Sequence, residues 1–535
     1  MFILKTNYLP GLSALMCFFL LQACSSSSEP DKDDTNTSTG CTLGKGANVI
    51  VSGSVTFDRV PLKTFGGLDF NNVSQQPVRG AVVEVICNGI MAASQTDESG
   101  NYSLSLPGDT TGVFIRVKAQ LSKIGTPSWN VSVSDEASAT KLIFTMDGSP
   151  FDSGATNLTR NLNASSGWDG VDYTTTRVAS PFAILDTIYQ AMQLVLSVNP
   201  NIQFPSLDVK WNADSTNGTY YANNTIFVLG RSNDSDEFDQ HVIAHEWGHY
   251  FQDVFSRDDS IGGSHGSGDI LDIRVAFSEG FGNAFSAMVT GDTLYRDSQG
   301  PVDGFSFDIE SNNCGSNRGW FSECSVQSAL YDFYDGANDD VIDLGFSSIY
   351  TVMTENIPET TAVTSLFGFM NPYKILNPDD ASNIDSLLQN SHSINPITDD
   401  VGSGRTLNPG LTNQLPLFQT SFPASICVTG ENGGFNGLGV SRFMQFTVPA
   451  SSNYIFTAVK VTGLASSDPD MYITSKGQLI GSGESESNNT ETFSVNLVAG
   501  TVYVLEIVEF QSYSQEDYNP NGGSPNETCF AITRT

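Results

Sequence analysis

The chain has 535 residues, with 59 acidic against 24 basic side chains, a net charge of −35 and a pI near 4.2. That length exceeds what one core of ordinary size holds and points to two to four domains, while a hydrophobic content of 39% excludes wholesale disorder. The charge excludes nucleic acid as a partner and binding to anionic lipid through surface charge, since either needs clustered Lys and Arg. Such acidity suits a solvated, exported surface, and calcium is a second candidate role for some of the carboxylates.

At the N-terminus, Lys5 precedes an apolar stretch from Leu9 to Leu21, short for a bilayer span. It ends in Leu21-Gln22-Ala23-Cys24, which resembles the lipobox of bacterial lipoproteins. The resemblance implies that residues 1–23 are a signal peptide and that Cys24 is acylated. The polar run that follows makes 24–45 a flexible tether. Ser25 after the cysteine resembles outer-membrane sorting in Gram-negative bacteria. The expected location is therefore the cell envelope, through a lipid on Cys24 in the outer membrane, or outside the cell after release. No run of eighteen apolar residues follows in the mature region. Of the eight cysteines, Cys17 leaves with the signal and Cys24 is the lipid site. The other six fall two by two, as Cys41 and Cys87, Cys314 and Cys324, Cys427 and Cys529. Proximity suggests these pairs as disulfides of an oxidising compartment, and the close CxxC spacing of a thiolate metal site is absent.

Residues 46–147 carry strand patterns. Val49, Val51, Val55 and Phe57 begin an alternation, Gly80 to Ile86 continues it, and Thr96 to Tyr102 has turn chemistry. The segment resembles the prealbumin-like or carboxypeptidase-regulatory β-sandwich found beside bacterial exported enzymes, which implies a spacer or folding module.

Residues 150–413 hold the helical signals. Phe182, Leu185, Ile188, Tyr189, Met192 and Leu196 recur at helical spacing over 181–196. Trp211 and the run 219–229 predict strands, and two further helices follow over 236–255 and 273–290. The second of these three helices contains His245-Glu246-Trp247-Gly248-His249. A helix presents residues four apart on one face, as zinc needs of two imidazoles, and Glu246 between them can act as general base on a metal-activated water. Gly248 in a helix interior costs about 1 kcal/mol against alanine. Close approach of a backbone or of substrate would explain it.

A third ligand sets the class. The metzincin continuation would place a glycine and a histidine where Gln252 and Phe255 stand, which excludes it. Instead Glu279 lies 30 residues past His249, in the apolar run of Val275, Ala276, Phe281 and Phe285, where a carboxylate must be paired or ligated. This arrangement resembles the gluzincins, the thermolysin-like zinc metallopeptidases. The resemblance implies Glu279 as third zinc ligand, ahead of Glu310, Glu323 and the aspartates between 253 and 272. It also implies ligand-orienting groups at Asp253 and at position 283, where Asn283 replaces an acid. The oxyanion stabiliser is open among Tyr331, Tyr334 and His392. His265, in Gly262-Gly263-Ser264-His265-Gly266, could line the cleft, and His241 has a structural role.

Residues 414–535 return to short strands spaced by Gly, Ser and Asn turns. Asp468-Pro469-Asp470-Met471-Tyr472-Ile473 and Ala499 to Tyr503 resemble the bacterial pre-peptidase C-terminal domain, a β-sandwich appended to secreted peptidases. The expected fold is thus multidomain: an N-terminal β-sandwich, a central α+β zincin-like peptidase domain and a C-terminal β-sandwich. The expected function is hydrolysis of protein or peptide substrates with Zn2+ and the base Glu246. The alternative is a non-catalytic surface-binding lipoprotein whose zinc site is structural, closed by a fourth protein ligand such as His265.

Overall fold

The computed structural model describes residues 40–336, 342–402, 421–432, 434–486, 489–510 and 527–535. The signal, Cys24, most of the tether and the boundary at 413/414 lie outside the described residues. Ten strands come first: β1 (Asn48–Arg59), β2 (Ser74–Pro77), β3 (Ala81–Ile86), β4 (Ile90–Gln95) and β5 (Asn101–Pro107). They continue with β6 (Phe114–Lys123), β7 (Trp129–Asp135), β8 (Thr145–Asp147), β9 (Leu158–Thr159) and β10 (Leu162–Ala164). Next come α1 (Ala179–Val198), β11 (Leu207–Trp211), β12 (Tyr220–Ala222), β13 (Thr225–Val228), α2 (Gln240–Phe255) and α3 (Ile273–Thr290). The hairpin β14 (Leu294–Gln299) and β15 (Asp303–Asp308) and helix α4 (Glu323–Asp332) follow. Three shorter helices, Gly345–Thr351, Leu366–Leu376 and Ala381–Ser391, complete the helical part.

The break expected near residue 147 is not a break in the fold. One eight-stranded sheet runs β12-β13-β11-β7-β6-β3-β4, with β8 on β6. Its centre is the parallel pairing of β7 with β11, from Leu207 on Val131 to Trp211 on Asp135. The second sheet is likewise shared, because β9 and β10 add in parallel to β1. The cause is elementary. A β7 left at an edge would present a row of unpaired N–H and C=O groups, and β11 takes them up. A single hydrophobic cluster accordingly runs from Val49 through the helices to Ile397 and takes in Leu438, Phe443 and Val504 of the C-terminal segment.

Helix α1 forms the crossover between β7 and β11. Its length of 20 residues and a mean hydropathy of 1.2 over an 18-residue window would by composition allow it to cross a membrane. Here it is a core helix, with Phe182, Ile184, Ile188, Met192 and Val195 buried against β1, β6, β7, α2 and α3. The run 219–229 is a hairpin and not one strand: β12 returns on β13 through Asn223 and Asn224, at φ 51° and 56°. Asparagine tolerates this left-handed geometry, which a two-residue hairpin loop demands.

The C-terminal strands form two four-stranded sheets. One orders Ala424–Val428, Thr528–Arg534, Ser452–Thr462 and Thr490–Leu497; the other orders Ser441–Phe446, Tyr503–Glu509, Pro469–Ser475 and Gln478–Gly483. Their inner faces share a separate core containing Met444, Phe446, Phe456, Ile473, Leu505 and Phe530. Three disulfides join Cys41 to Cys87, Cys314 to Cys324 and Cys427 to Cys529.

A chain begun at residue 150 is expected to lack a cooperative thermal transition, because β11 loses its β7 partner and α1 loses β1, β6 and β7. A sharp calorimetric transition in that shortened chain would mean that the central part folds independently of the preceding strands.

Candidate metal centre

Helices α2 and α3 cross where neither carries a side chain. A Cβ on Gly248 would stand 3.3 Å from the Gly282 Cα, and one on Gly282 would stand 2.9 Å from the His245 ring. The helix-interior glycine of α2 thus has a packing reason. Beside this contact Trp247 of α2 stacks on Phe285 of α3 at 5.4 Å and on Phe251 of its own helix at 6.2 Å. Helix α3 begins on Asp272, whose carboxylate accepts from the Arg274 N–H, and ends on left-handed Gly291 at φ 64°.

The crossing brings His245, His249 and Glu279 together, all of them buried. The His245 and His249 Nε2 atoms lie 3.0 Å apart, and each is 3.2 Å from Glu279 Oε2. A tetrahedral ion with bonds near 2.0–2.1 Å sets its ligand atoms about 3.3 Å apart, so the triangle has the dimensions of a zinc ligand set. Its polarity agrees. His245 donates from Nδ1 to Asn283 Oδ1 at 2.8 Å, so its Nε2 lone pair faces the triangle. His249 Nδ1 meets Gln252 Oε1 and Ser278 Oγ, each at 3.3 Å. Two lone pairs and a carboxylate oxygen pointed at one spot repel each other unless a cation sits between them. Burial would raise the Glu279 carboxyl, yet the imidazoles of His265, His249 and His245 hold it well below the usual range.

The residues expected to orient the ligands divide. Asn283 supports His245 and is itself held by its Nδ2 donating to Gln327 Oε1 at 2.9 Å. Asp253 does not support His249. It is exposed and accepts from the Tyr221 hydroxyl on β12 at 2.5 Å. The buried Gln252, three residues past His249, takes that place, with Ser278 bridging from α3 at 3.2 Å. Buried amides and hydroxyls satisfy an imidazole without a desolvated charge. The sequence resemblance places this role at Asp253, one position further along the helix.

Tyr331, Tyr334 and His392 stand elsewhere. Glu323, at the start of α4, reaches the centre, but Tyr331 follows two turns later, about 12 Å along the helix axis, where it packs against Tyr334. His392 is engaged at both nitrogens, with Asp332 Oδ2 at 2.8 Å and Ser328 Oγ at 3.1 Å. The imidazole that faces the triangle is His265. Its Nε2 is 3.3 Å from Glu279 Oε2, and its Nδ1 is held by Glu323 Oε2 at 2.6 Å. Burial opposes a charge on this ring, while Glu279 and Glu323 raise its pKa to about 10. Its position in a glycine-rich loop between the two ligand helices was the available signal. Glu246 is fully buried within range of His265. His241 is structural, with Nε2 on the Asp292 carbonyl at 2.8 Å.

The His265 loop is braced by the C-terminal sandwich. Asn436 donates to the Ser264 carbonyl at 2.8 Å, and Asp272 N–H donates to the Asn436 carbonyl at 2.7 Å. Nearby, buried Arg274 joins Asp272 to Glu506 at 2.8 Å and lies 4.8 Å over the Phe443 ring.

The sequence model of the mycolysin C-terminal domain matches residues 197–369, a span that includes His245, Glu246, His249, His265, Glu279 and Glu323. No curated protein matches the chain. Among solved structures it is similar to the pre-peptidase C-terminal domain of a collagenase from Bacillus anthracis, at 12% identity and TM-score 0.16, over 23% of this chain and 100% of that one. It is also similar to a 9R-lipoxygenase from Cyanothece PCC8801, at 9% identity and TM-score 0.14, over 31% of this chain and 27% of that one. A third is PliG, a periplasmic inhibitor of g-type lysozyme from Aeromonas hydrophila, at 13% identity and TM-score 0.14, over 22% of this chain and 92% of that one.

Gly282→Ala is expected to push the His245 ring off its position and to lower zinc affinity roughly 10- to 100-fold. Gly268→Ala, where a Cβ meets nothing within 4 Å, should leave affinity unchanged. Competition against a chromogenic chelator measures both, and equal affinities would remove the crossing from the account of the site.

Proposed function

We propose that the chain is a zinc metallopeptidase whose metal is held by His245, His249 and Glu279. The observation that carries the reading is the buried triangle of two Nε2 atoms and one carboxylate oxygen with edges of 3.0–3.2 Å, beside buried Glu246. The mycolysin match relates residues 197–369 to metallopeptidases, and that span contains the triangle. A zinc ion in this place supplies Lewis-acid polarisation of a substrate carbonyl and of a water. Glu246 accepts the water proton and returns it to the leaving amine. His265, fixed through Nδ1 by Glu323, presents Nε2 where a carbonyl oxygen gains negative charge. The edge strand β12 packs beside α2 and offers backbone groups to an extended peptide. The signal ending at Cys24 supports anchoring by lipid on the cell envelope, in the outer membrane.

A second reading draws on the same histidine: His265, at 3.3 Å from Glu279, closes a structural zinc site as a fourth ligand in a non-catalytic surface protein. Against it, His265 is outside the group of ligand atoms that all lie within 4.8 Å of one another.

Zinc per chain and cleavage of unfolded casein, measured for the protein and for Glu246→Gln, test the assignment. Equal zinc with cleavage only in the unmodified protein is expected, and absence of zinc from both would sink the ligand set. His265→Asn should keep its zinc and lose roughly 10²- to 10³-fold in kcat. Loss of zinc from His265→Asn would favour the structural site.

A further inference from the structure

The loop that leads into α2 gathers a second set of acidic side chains, apart from the histidine centre. One carboxylate oxygen from each of Asp234, Asp236 and Asp297 lies within 4.8 Å of the other two. Asp239 belongs to the same neighbourhood and is already satisfied, accepting from the Ser298 N–H at 2.6 Å and the Ser298 hydroxyl at 3.0 Å. Asp236 is only 5% exposed. Its Oδ2 accepts from the Thr219 hydroxyl, whereas its Oδ1 is buried with no hydrogen-bond partner. A buried carboxylate oxygen without a donor costs free energy unless a cation or a proton meets it.

The protein's own cations do not balance the set. Arg231 pairs with Asp234 from a largely exposed position. Arg59 is buried near Asp239 but spends a donor on the Phe238 carbonyl. Arg177 is paired with Glu237. Burial and the charges of Asp297 and Asp239 lift Asp236 well above the usual carboxylate range, and burial with Asp234 pushes Asp297 up to about 7. Four carboxylates thus face two guanidinium groups.

We propose that Asp234, Asp236 and Asp297 hold a calcium ion that staples the loop before α2 to strand β14. The donor set is entirely oxygen, which suits a hard cation and not zinc. With bonds of 2.3–2.6 Å, two oxygens on one calcium can stand no more than about 5 Å apart, and the limit of 4.8 Å satisfies this. Calcium also accepts irregular geometry and completes its shell with water, as two carboxylates from one loop and one from a strand require. The staple ties the residues just before the His245 helix to the hairpin just after the Glu279 helix. A calcium ion here would therefore hold the outer ends of both ligand helices.

Terbium replaces calcium in the test, because the buried Tyr295 phenol lies in the field of Asp297, Asp236 and Asp239 and can sensitise its emission. The unmodified protein, loaded with zinc, should show tyrosine-sensitised terbium luminescence that calcium displaces. Its Tm should rise by roughly 3 °C in about 1 mM calcium over a calcium-selective chelator. Asp297→Asn, a partly exposed position chosen so that the fold survives, should remove the displaceable luminescence and most of the Tm rise. Asp470→Asn, in the C-terminal sandwich, should leave both in place. Two results overturn the proposal: no calcium-dependent signal in the unmodified protein, or the same signal and Tm rise in Asp297→Asn. The second would mean that the aspartates share protons and that calcium binds elsewhere.

Discussion

The close crossing of α2 and α3 is the constraint on which the rest of the centre depends. Each helix brings two residues four apart to the same place: His245 and His249 from α2, Glu279 and Asn283 from α3. That pairing of registers works only if the backbones nearly touch, which Gly248 and Gly282 allow. Two helix-interior glycines cost about 1 kcal/mol each against alanine, and the aromatic stack of Trp247 and Phe251 from α2 on Phe281 and Phe285 from α3 offsets the loss. A third glycine extends the device. A Cβ on Gly280 would meet Val326 at 2.7 Å, so α4 can also come close. Helix α4 then repeats the pattern, with Glu323 on His265 and Gln327 on Asn283, again four residues apart. Three helices thus each present one i,i+4 pair to a single point, and glycine at the contacts sets how near that point lies to the axes.

How much of this was legible in the sequence follows from the range of the interactions. His245, Glu246 and His249 sit within one turn and a half, where helical geometry fixes their relation. Glu279 could be found because a carboxylate among Val275, Ala276, Phe281 and Phe285 needs a reason to be buried. The supports were legible only where one position was available. Asn283 stood four past the glutamate and was found, whereas Asp253 and Gln252 compete for the same role and differ by 100° around the helix. Charge pointed to Asp253, but burial decided for Gln252, and burial depends on β12 and Tyr221, far away in sequence. The same limit explains the sheet. Alternation marks β7 and β11 as strands, yet nothing local says that Leu207 lies beside Val131. A break in pattern near residue 147 therefore looked like a domain boundary, and the parallel pairing across it could not be seen.

The two shared sheets and the C-terminal sandwich change what the flanking segments are for. β1 to β8 are not a spacer hung beside the core, since α1 buries its apolar face on them and β7 supplies the neighbour of β11. The C-terminal sandwich keeps its own core but touches the most delicate loop of the centre. Asn436 holds the carbonyl of Ser264, the residue before His265, and a Cβ on Gly263 would strike Phe435 at 2.6 Å. A loop rich in glycine has little intrinsic reason to hold one shape. Contacts from a separate sandwich give it one, at the residue whose ring faces Glu279.

The charge inventory of the centre leads to the same place as its geometry. Glu246, Glu279 and Glu323 are all buried around one point, and His265 is the side chain there that can carry a positive charge. His245 donates its Nδ1 proton to an amide oxygen and so turns an electron pair inward. Left without a cation, carboxylates ionised at this buried point would cost several kcal/mol for each charge left unbalanced. A protein can remove that cost by protonating a carboxylate or by binding a divalent ion. Protonation of Glu279 is opposed by the charge of His265 beside it, which holds its carboxyl low. A divalent ion meets both demands at once, since it neutralises the excess and gives the two inward lone pairs an acceptor. On the proposed reading, a metal at this crossing would therefore be as much a condition for its fold as a reagent for the chemistry proposed for Glu246.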